Sequence, residues 1–256
     1  MSAEKTVREF YEGGGWESDE SGATLDARLW EDLRPGAAEY VTACRRKVLS
    51  HLPRTGHLLL DAGSGPIQYP EYVEYSDGFS RRVCMDVSLE ALKQARARLG
   101  SRGLYVCASL PEVPFGDNEF DAVISLHTIY HVEAEEQEVA VRQLIRVAKP
   151  NARIVIVYAN PDRLLLRIKR RIRPKRKAAN DRKMYYHAHP LSWWQRFAGE
   201  SSLKMLPWRA LVAQESALIS GRRVAKLLLR LVLGFEKRFP GLMTHVGAYP
   251  LIVLTK

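Results

Sequence analysis

Cysteine is scarce in this chain. Cys44, Cys84 and Cys107 stand far apart and no two form a CxxC pair. That argues against a disulfide scaffold or a zinc ribbon and suits a reducing, cytoplasmic setting. Cys84 and Cys107 fall inside apolar, strand-like runs, so both are expected as small buried hydrophobes. A long uninterrupted apolar run is missing too. The nearest candidate, KLLLRLVLGFEKRF at 226–239, is broken by Arg230 and charged at both ends. It falls short of the roughly 20 apolar residues a membrane-spanning helix needs. The first residues are polar and charged, so no secretory signal is expected.

Acidic residues are nearly absent from one stretch only. The 256 residues net +10, yet RLLLRIKRRIRPKRKAANDRK at 163–183 holds eleven Lys/Arg and a single Asp. The remainder carries 28 basic and 28 acidic residues and nets zero. The basicity therefore belongs to one insert, which weakens the case for a nucleic-acid-binding surface. With 46% hydrophobic and 27% charged residues the composition is that of an ordinary globular protein. Its length suffices for one α/β domain with a deep core.

The pattern along the chain supports that class. Residues 1–11 suggest a short amphipathic helix, and GGGWESDESGAT at 13–24 reads as a mobile loop. From 25 to 52 apolar positions recur at helical spacing, with Pro35 dividing two helices. After His57 short apolar runs alternate with helical segments: HLLLDA, RRVCMDV, GLYVCAS, FDAVISL and ARIVIVYA read as strands. LEALKQARARL reads as a helix between them, and EQEVAVRQLIRVAKP as a helix stopped by Pro150. Such alternation implies βαβ units and a parallel sheet whose ligands bind beyond the carboxyl ends of its strands. A sixth strand near 202–213, a long helix near 221–239 and a closing strand at 248–256 complete the expectation.

LLLDAGSGPIQYPEY, residues 58–72, begins like a nucleotide-binding turn. Gly63 and Gly65 allow a tight turn beside a ligand. A dinucleotide site would then want glycine where Gln68 stands, and a phosphate loop would want a lysine that is absent. Pro66 removes one backbone N–H, so a strongly anionic ligand is disfavoured. Asp61 at the strand end suits a ligand carrying positive charge.

LLLDAGSGP, RRVCMDVSLEALKQAR, ASLPEVPFGDNEFDAVIS and RVAKPNARIVIVYA follow one another at set intervals. In that order they resemble the successive motifs of class I S-adenosylmethionine-dependent methyltransferases (methyltransferase type 11-like). The resemblance covers about 55–160 closely and the rest by topology. It implies a Rossmann-like seven-stranded, mostly parallel sheet with helices on both faces, an antiparallel last strand and N-terminal helices capping the cofactor. The single domain would comprise a helical cap (1–54), a cofactor-binding core (55–160), a basic lid (161–200) and C-terminal strands and helix (201–256). S-adenosylmethionine is the implied cofactor, and no metal is expected. Gly63 and Gly65 would approach its methionine part, with Asp61 near the ammonium or positioning the turn. Asp86 would accept both ribose hydroxyls, Val87 would pack on the adenine, Ser109 and Leu110 would line its edge, and Ser125 would close the pocket. Three positions depart from the pattern: Ile67 replaces a glycine, Ser109 an acid and Asn151 a glycine. Asn tolerates the left-handed conformation, so the last change is mild.

Methyl transfer needs alignment in a dry pocket, and a base only where the acceptor must lose a proton. SLHTIYHV at 125–132 offers His127, Tyr130 and His131 at the pocket mouth. Either histidine is a candidate catalytic base, and a structural hydrogen-bonder is the plainer alternative. Their spacing lacks the glutamate of a zinc helix. Tyr11, Tyr130, Tyr186 and His187 are candidates for acceptor binding, whereas Trp193 and Trp194 read as core. No Asn/Asp-Pro-Pro-Tyr/Phe stretch or Pro-adjacent nucleophilic cysteine is present, which disfavours nucleobase methylation. A small-molecule or lipid-like acceptor remains, with oxygen favoured over nitrogen. The insert at 163–183 suits an anionic membrane surface, which would make a cytoplasmic protein peripheral to the membrane, or an anionic substrate, and a solvated loop with no partner is an equal alternative. RNA is the less favoured partner, and a noncatalytic protein of the same fold is the remaining alternative.

Overall fold

LLLDA must bury side chains on both faces, which only a two-sided sheet can do. In the computed structural model, which describes residues 2–20, 22–172 and 184–256, this run lies in Gly56–Ala62 (β1), an inner strand of one seven-stranded sheet. Phe79–Asp86 (β2) and Gly103–Cys107 (β3) extend it on one side. Phe120–Leu126 (β4), Ala148–Val157 (β5), Tyr249–Thr255 (β7) and Ser202–Arg209 (β6) extend it on the other. The order is β3-β2-β1-β4-β5-β7-β6, and β7 alone runs antiparallel to its neighbours. The chain reverses its winding between β1 and β4, and that crevice is where an open α/β sheet takes ligands.

Both faces are covered. Leu60, Ala62, Val123 and Ile154 pack against Gln137–Val147 (α6) and against Trp193, Trp194 and Phe197. Leu59, Ala122 and Ile124 pack against Tyr40, Val41 and Cys44 of Ala38–Arg46 (α3) and Leu229 of Arg222–Arg238 (α9). Leu89–Leu99 (α5) buries Leu92, Ala95 and Leu99 against Cys84 and Ile67; Ser88 caps its first turn by accepting from Ala91 N–H at 3.2 Å. Smaller helices are Ala3–Phe10 (α1), Leu25–Trp30 (α2), Pro70–Glu74 (α4), Leu164–Ile172 (α7), Ala213–Ser216 (α8) and Pro240–Val246 (α10).

Three expectations change. Cys107 is exposed, because β3 is the edge strand and its last residue leaves the sheet unsheltered. The helix before Pro150 already ends at Val147. Pro150 and Asn151 (φ 65°) lie instead in the irregular start of β5, where pairing jumps from Phe120↔Ala148 to Ala122↔Arg153. The glycine-rich segment after α1 is no free loop: Tyr11–Gly15 forms a wide turn, Trp16 is buried and Ser18 bridges to Thr24. Of the basic insert, α7 is seen and residues 173–183 lie outside the described residues.

Candidate active site

The glycine turn leaves β1 with three residues in the left-handed region: Gly63 (φ 74°), Gly65 (φ 55°) and Ile67 (φ 54°). Gly63 has no room for a side chain, since a Cβ would lie 2.3 Å from Thr128 Cγ2. Gly63 and Ser64 N–H donate to Met85 O at 2.7 and 3.1 Å, which pins the turn to the end of β2. Asp86 sits at that end. Its Oδ2 accepts from Gly65 N–H and its Oδ1 from Ser88 N–H, both at 2.9 Å. Among the described residues Asp86 has no ion-pair partner. Burial pushes its carboxyl up to about 6, against the pull of the two N–H groups and with help from the charge of Asp61.

Asp61 is spoken for. Arg82, itself fully buried, donates to it from Nε at 3.1 Å and again from Nη2, and to Ser76 Oγ at 3.2 Å. The pair braces β1 against β2 from the α4 side. Ser125 is equally committed: its hydroxyl donates to Ala62 O at 2.8 Å, locking β4 to the turn. Val87 and Ser109 are half-buried at the ends of β2 and β3, joined by the Cys107 thiol reaching Val87 O at 3.7 Å, and Leu110 is buried in the main core.

The N-terminal segment covers this turn. Trp16 stacks on Tyr11 at 4.3 Å, and its ring edge lies 3.3 Å from where a Gly65 Cβ would stand. Trp16 Nε1 is buried with no hydrogen-bond partner. Tyr11 Oη donates to Asp26 Oδ1 at 3.3 Å, and burial raises Asp26 to about 6. Gln68, the residue that spoils a dinucleotide motif, anchors this cap: its Oε1 accepts from Thr24 Oγ1 at 2.7 Å and its Nε2 donates to Asp26 Oδ2 at 3.4 Å. A cavity of about 410 Å³ opens between the cap and α5, bounded by Tyr11, Trp16, Leu89 and Gln94 among others.

Beyond β4 the chain turns at His127, again left-handed (φ 63°). Its Nδ1 lies 3.0 Å from Tyr130 Oη, and its ring meets Trp208 edge-on at 4.7 Å and Tyr249 at 5.0 Å. Burial, then the charge of Arg209, lowers the imidazole well below its ordinary value, so it is unprotonated at neutral pH. His131 meets Tyr130 edge-on at 4.6 Å and donates from Nδ1 to Tyr185 O at 2.8 Å. Tyr186 lies 5.1 Å from Tyr130. His187 is exposed and its ring meets His189 at 4.7 Å, so this residue is not brought to the cluster through its side chain.

Several residues here escaped the sequence. Trp208 and Arg209 end β6 and Tyr249 begins the antiparallel β7, so both meet at the same sheet edge as His127. A closing strand opening on an aromatic, opposite a strand ending on one, was the available signal. Arg209 lies over the Trp208 and Tyr249 rings at 5.1 and 5.2 Å and pairs with Glu31. Glu31 also pairs with Arg45 at 3.0 Å, and Arg45 with Glu71 at 3.5 Å, a chain no local spacing reveals.

Residues 60–156 match the family described as methyltransferase domain. The chain is 34% identical over 91 residues to the ubiquinone/menaquinone biosynthesis C-methyltransferase UbiE of Idiomarina loihiensis, covering 31% of this chain and 36% of that protein. It spans less than half the length of the curated relatives it matches. Magnesium protoporphyrin IX methyltransferase of Synechocystis PCC 6803, solved with bound SAM, shares the fold with a TM-score of 0.60 and 14% identity, over 100% of this chain and 98% of that one. So does the Burkholderia thailandensis 1,6-didemethyltoxoflavin-N1-methyltransferase, solved with bound 1,6-didemethyltoxoflavin and S-adenosylhomocysteine, with a TM-score of 0.56 and 14% identity over 98% and 88%. Residues 60–156 thus match a methyltransferase domain, and the chain as a whole shares its fold with methyltransferases solved with bound SAM or S-adenosylhomocysteine.

Proposed function

We propose that this protein transfers a methyl group from S-adenosylmethionine to a small-molecule or lipid-like acceptor, with oxygen favoured over nitrogen. The observation that carries this is Asp86, a buried carboxylate at the end of β2 with only backbone N–H groups for partners. Such a group wants hydroxyl donors, and a ribose brings two. The cofactor also meets a fitting surface elsewhere. Gly63 and Gly65 present bare backbone, and Pro66 lacks an N–H that a phosphate would want. Trp16 Nε1 is a buried donor with no partner, against Gly65. Val87, Ser109 and Leu110 would take the adenine side. Asp61 would act through the turn, because its carboxylate is bound to Arg82. When bound, the cofactor supplies an electrophilic methyl on a sulfonium.

His127, Tyr130, Trp208 and Tyr249 make an aromatic wall suited to a planar or apolar acceptor. The similar proteins are methyltransferases of ubiquinone/menaquinone biosynthesis, of magnesium protoporphyrin IX and of 1,6-didemethyltoxoflavin, which favours acceptors of this kind. His127, unprotonated at neutral pH, could take a proton from an acceptor hydroxyl. His131, with Nδ1 committed to Tyr185 O, is better placed to support Tyr130. We read the protein as cytoplasmic and peripheral to an anionic membrane through α7 and the rest of 163–183.

Calorimetry with S-adenosylmethionine tests the reading. Asp86→Ala should lower affinity about ten- to hundredfold, the value of hydrogen bonds to a charged group. Equal affinity in the variant, or no binding by the parent chain, would defeat it. Labelled cofactor incubated with a cell extract would then identify the acceptor.

A further inference from the structure

The helix α9 is apolar on two faces, and the fold uses one. Ala225 is buried beside Gly36, and Leu229 in the core beneath the sheet, where half-buried Val232 and Leu233 join it. Glu236 anchors the same side: it accepts from Tyr40 Oη at 2.6 Å and from Ala210 N–H at 2.8 Å, and pairs with Lys47 at 2.6 Å. The other face carries Val224, Leu227, Leu228, Leu231 and Phe235, spaced as one helical stripe and all exposed, Leu227 by 61%. Phe239, whose ring lies 6.0 Å from that of Phe235, and Leu242 of α10, 62% exposed, prolong the stripe. A stripe this long on a water-facing surface marks an interaction site.

Its charge selects the partner. Six basic residues lie on α9, Arg222, Arg223, Lys226, Arg230, Lys237 and Arg238, and the single acid, Glu236, is buried. Lys226 and Arg230 meet Glu39. Among the described residues the other four have no acidic partner. A second copy of this chain in a two-fold dimer would bring like charges together. A polyanion such as RNA would leave the leucines in water. An anionic bilayer interface takes both, cations at the headgroups and the stripe among the acyl chains.

We propose that the α9–α10 face docks on an anionic phospholipid surface. This deepens the peripheral-membrane part of the reading above with residues outside 163–183. Through Gly247 and Ala248, α10 leads directly into Tyr249, whose ring meets His127, so docking sets the acceptor end beside the membrane. A lipid-like acceptor could then reach the site without crossing bulk water.

Sedimentation with vesicles tests this without cofactor. The full chain should pellet with equal parts phosphatidylcholine and phosphatidylglycerol and stay in solution with phosphatidylcholine alone. Leu231→Glu and the pair Arg223→Glu/Lys237→Glu should each lower partitioning about tenfold or more while circular dichroism is unchanged. Asp86→Ala should pellet like the parent chain, so the failure of cofactor binding and the failure of docking are separable. A parent chain that stays in solution with the mixed vesicles would overturn the proposal. So would Leu231→Glu pelleting normally, a dimer that Leu231→Glu dissolves, or salt-sensitive RNA binding without vesicle binding.

Discussion

Asp86 illustrates how burial without a counter-charge shapes a residue's chemistry. Its carboxyl is raised above the ordinary carboxylate value to about 6, chiefly by burial. The folded protein therefore begins to lose the ionised form as pH falls below neutrality, and a proton on the carboxyl would remove the acceptor proposed for the ribose. Cofactor affinity should be flat above pH 7 and fall about tenfold for each unit below 6. Asp26, also raised to about 6 beside Tyr11, titrates in the same window. Calorimetry from pH 5 to 8 on Asp26→Asn separates the two: the step should persist there, and an affinity independent of pH in the parent chain would refute the assignment. Ile67 shows the converse limit of reading a sequence. A missing glycine is visible in the letters, but the left-handed Ile67 and its compensation are not. Strain of about 1–2 kcal/mol is offset by full burial against Leu92 and Leu99, typically about 1.5–3 kcal/mol for such a side chain. At Asn151 the tolerance expected of asparagine matches its φ of 65°.

Among the elements, the N-terminal cap differs most from its sequence appearance. Glycines and acids between Gly13 and Thr24 suggest a loop, yet Trp16 folds back over Gly65 and α2 is tethered to the turn by Gln68. That tether joins positions 44 residues apart and has no local signature. Gln68→Ala should loosen the cap while sparing the sheet. Amide exchange over residues 11–30 should quicken about fivefold or more, since both hydrogen bonds of the Gln68 amide are lost at about 1 kcal/mol each, with β1 and β4 unchanged. Unchanged exchange in the cap would mean the stacking of Tyr11 on Trp16 suffices by itself. The helices α3 and α6, whose apolar positions recur regularly, match their expected places to within a few residues because periodicity is a local property.

At the scale of the whole molecule, one sheet carries both halves of the site: the glycine turn and Asp86 on β1 and β2, the aromatic wall on β4, β6 and β7. A ligand gripped at one half therefore stabilises the entire sheet. Cofactor at a hundred times its dissociation constant should add about 2.7 kcal/mol and raise the melting temperature roughly 5–10 °C in a thermal scan, and Asp86→Ala should erase most of that shift. No shift would mean the site does not close on the cofactor. The order of strands and helices, the glycine turn, the acid at the end of β2 and the histidines after β4 were determined by the sequence itself, because each depends on spacing within a few residues. Tertiary structure alone decided that Asp61 is spent on Arg82, that Gln68 clamps a cap and that Trp208 and Tyr249 pack against His127. It alone left the outer face of α9 uncovered among the described residues. Those outcomes depend on which distant segments the winding of the sheet brings together, and no local pattern records that.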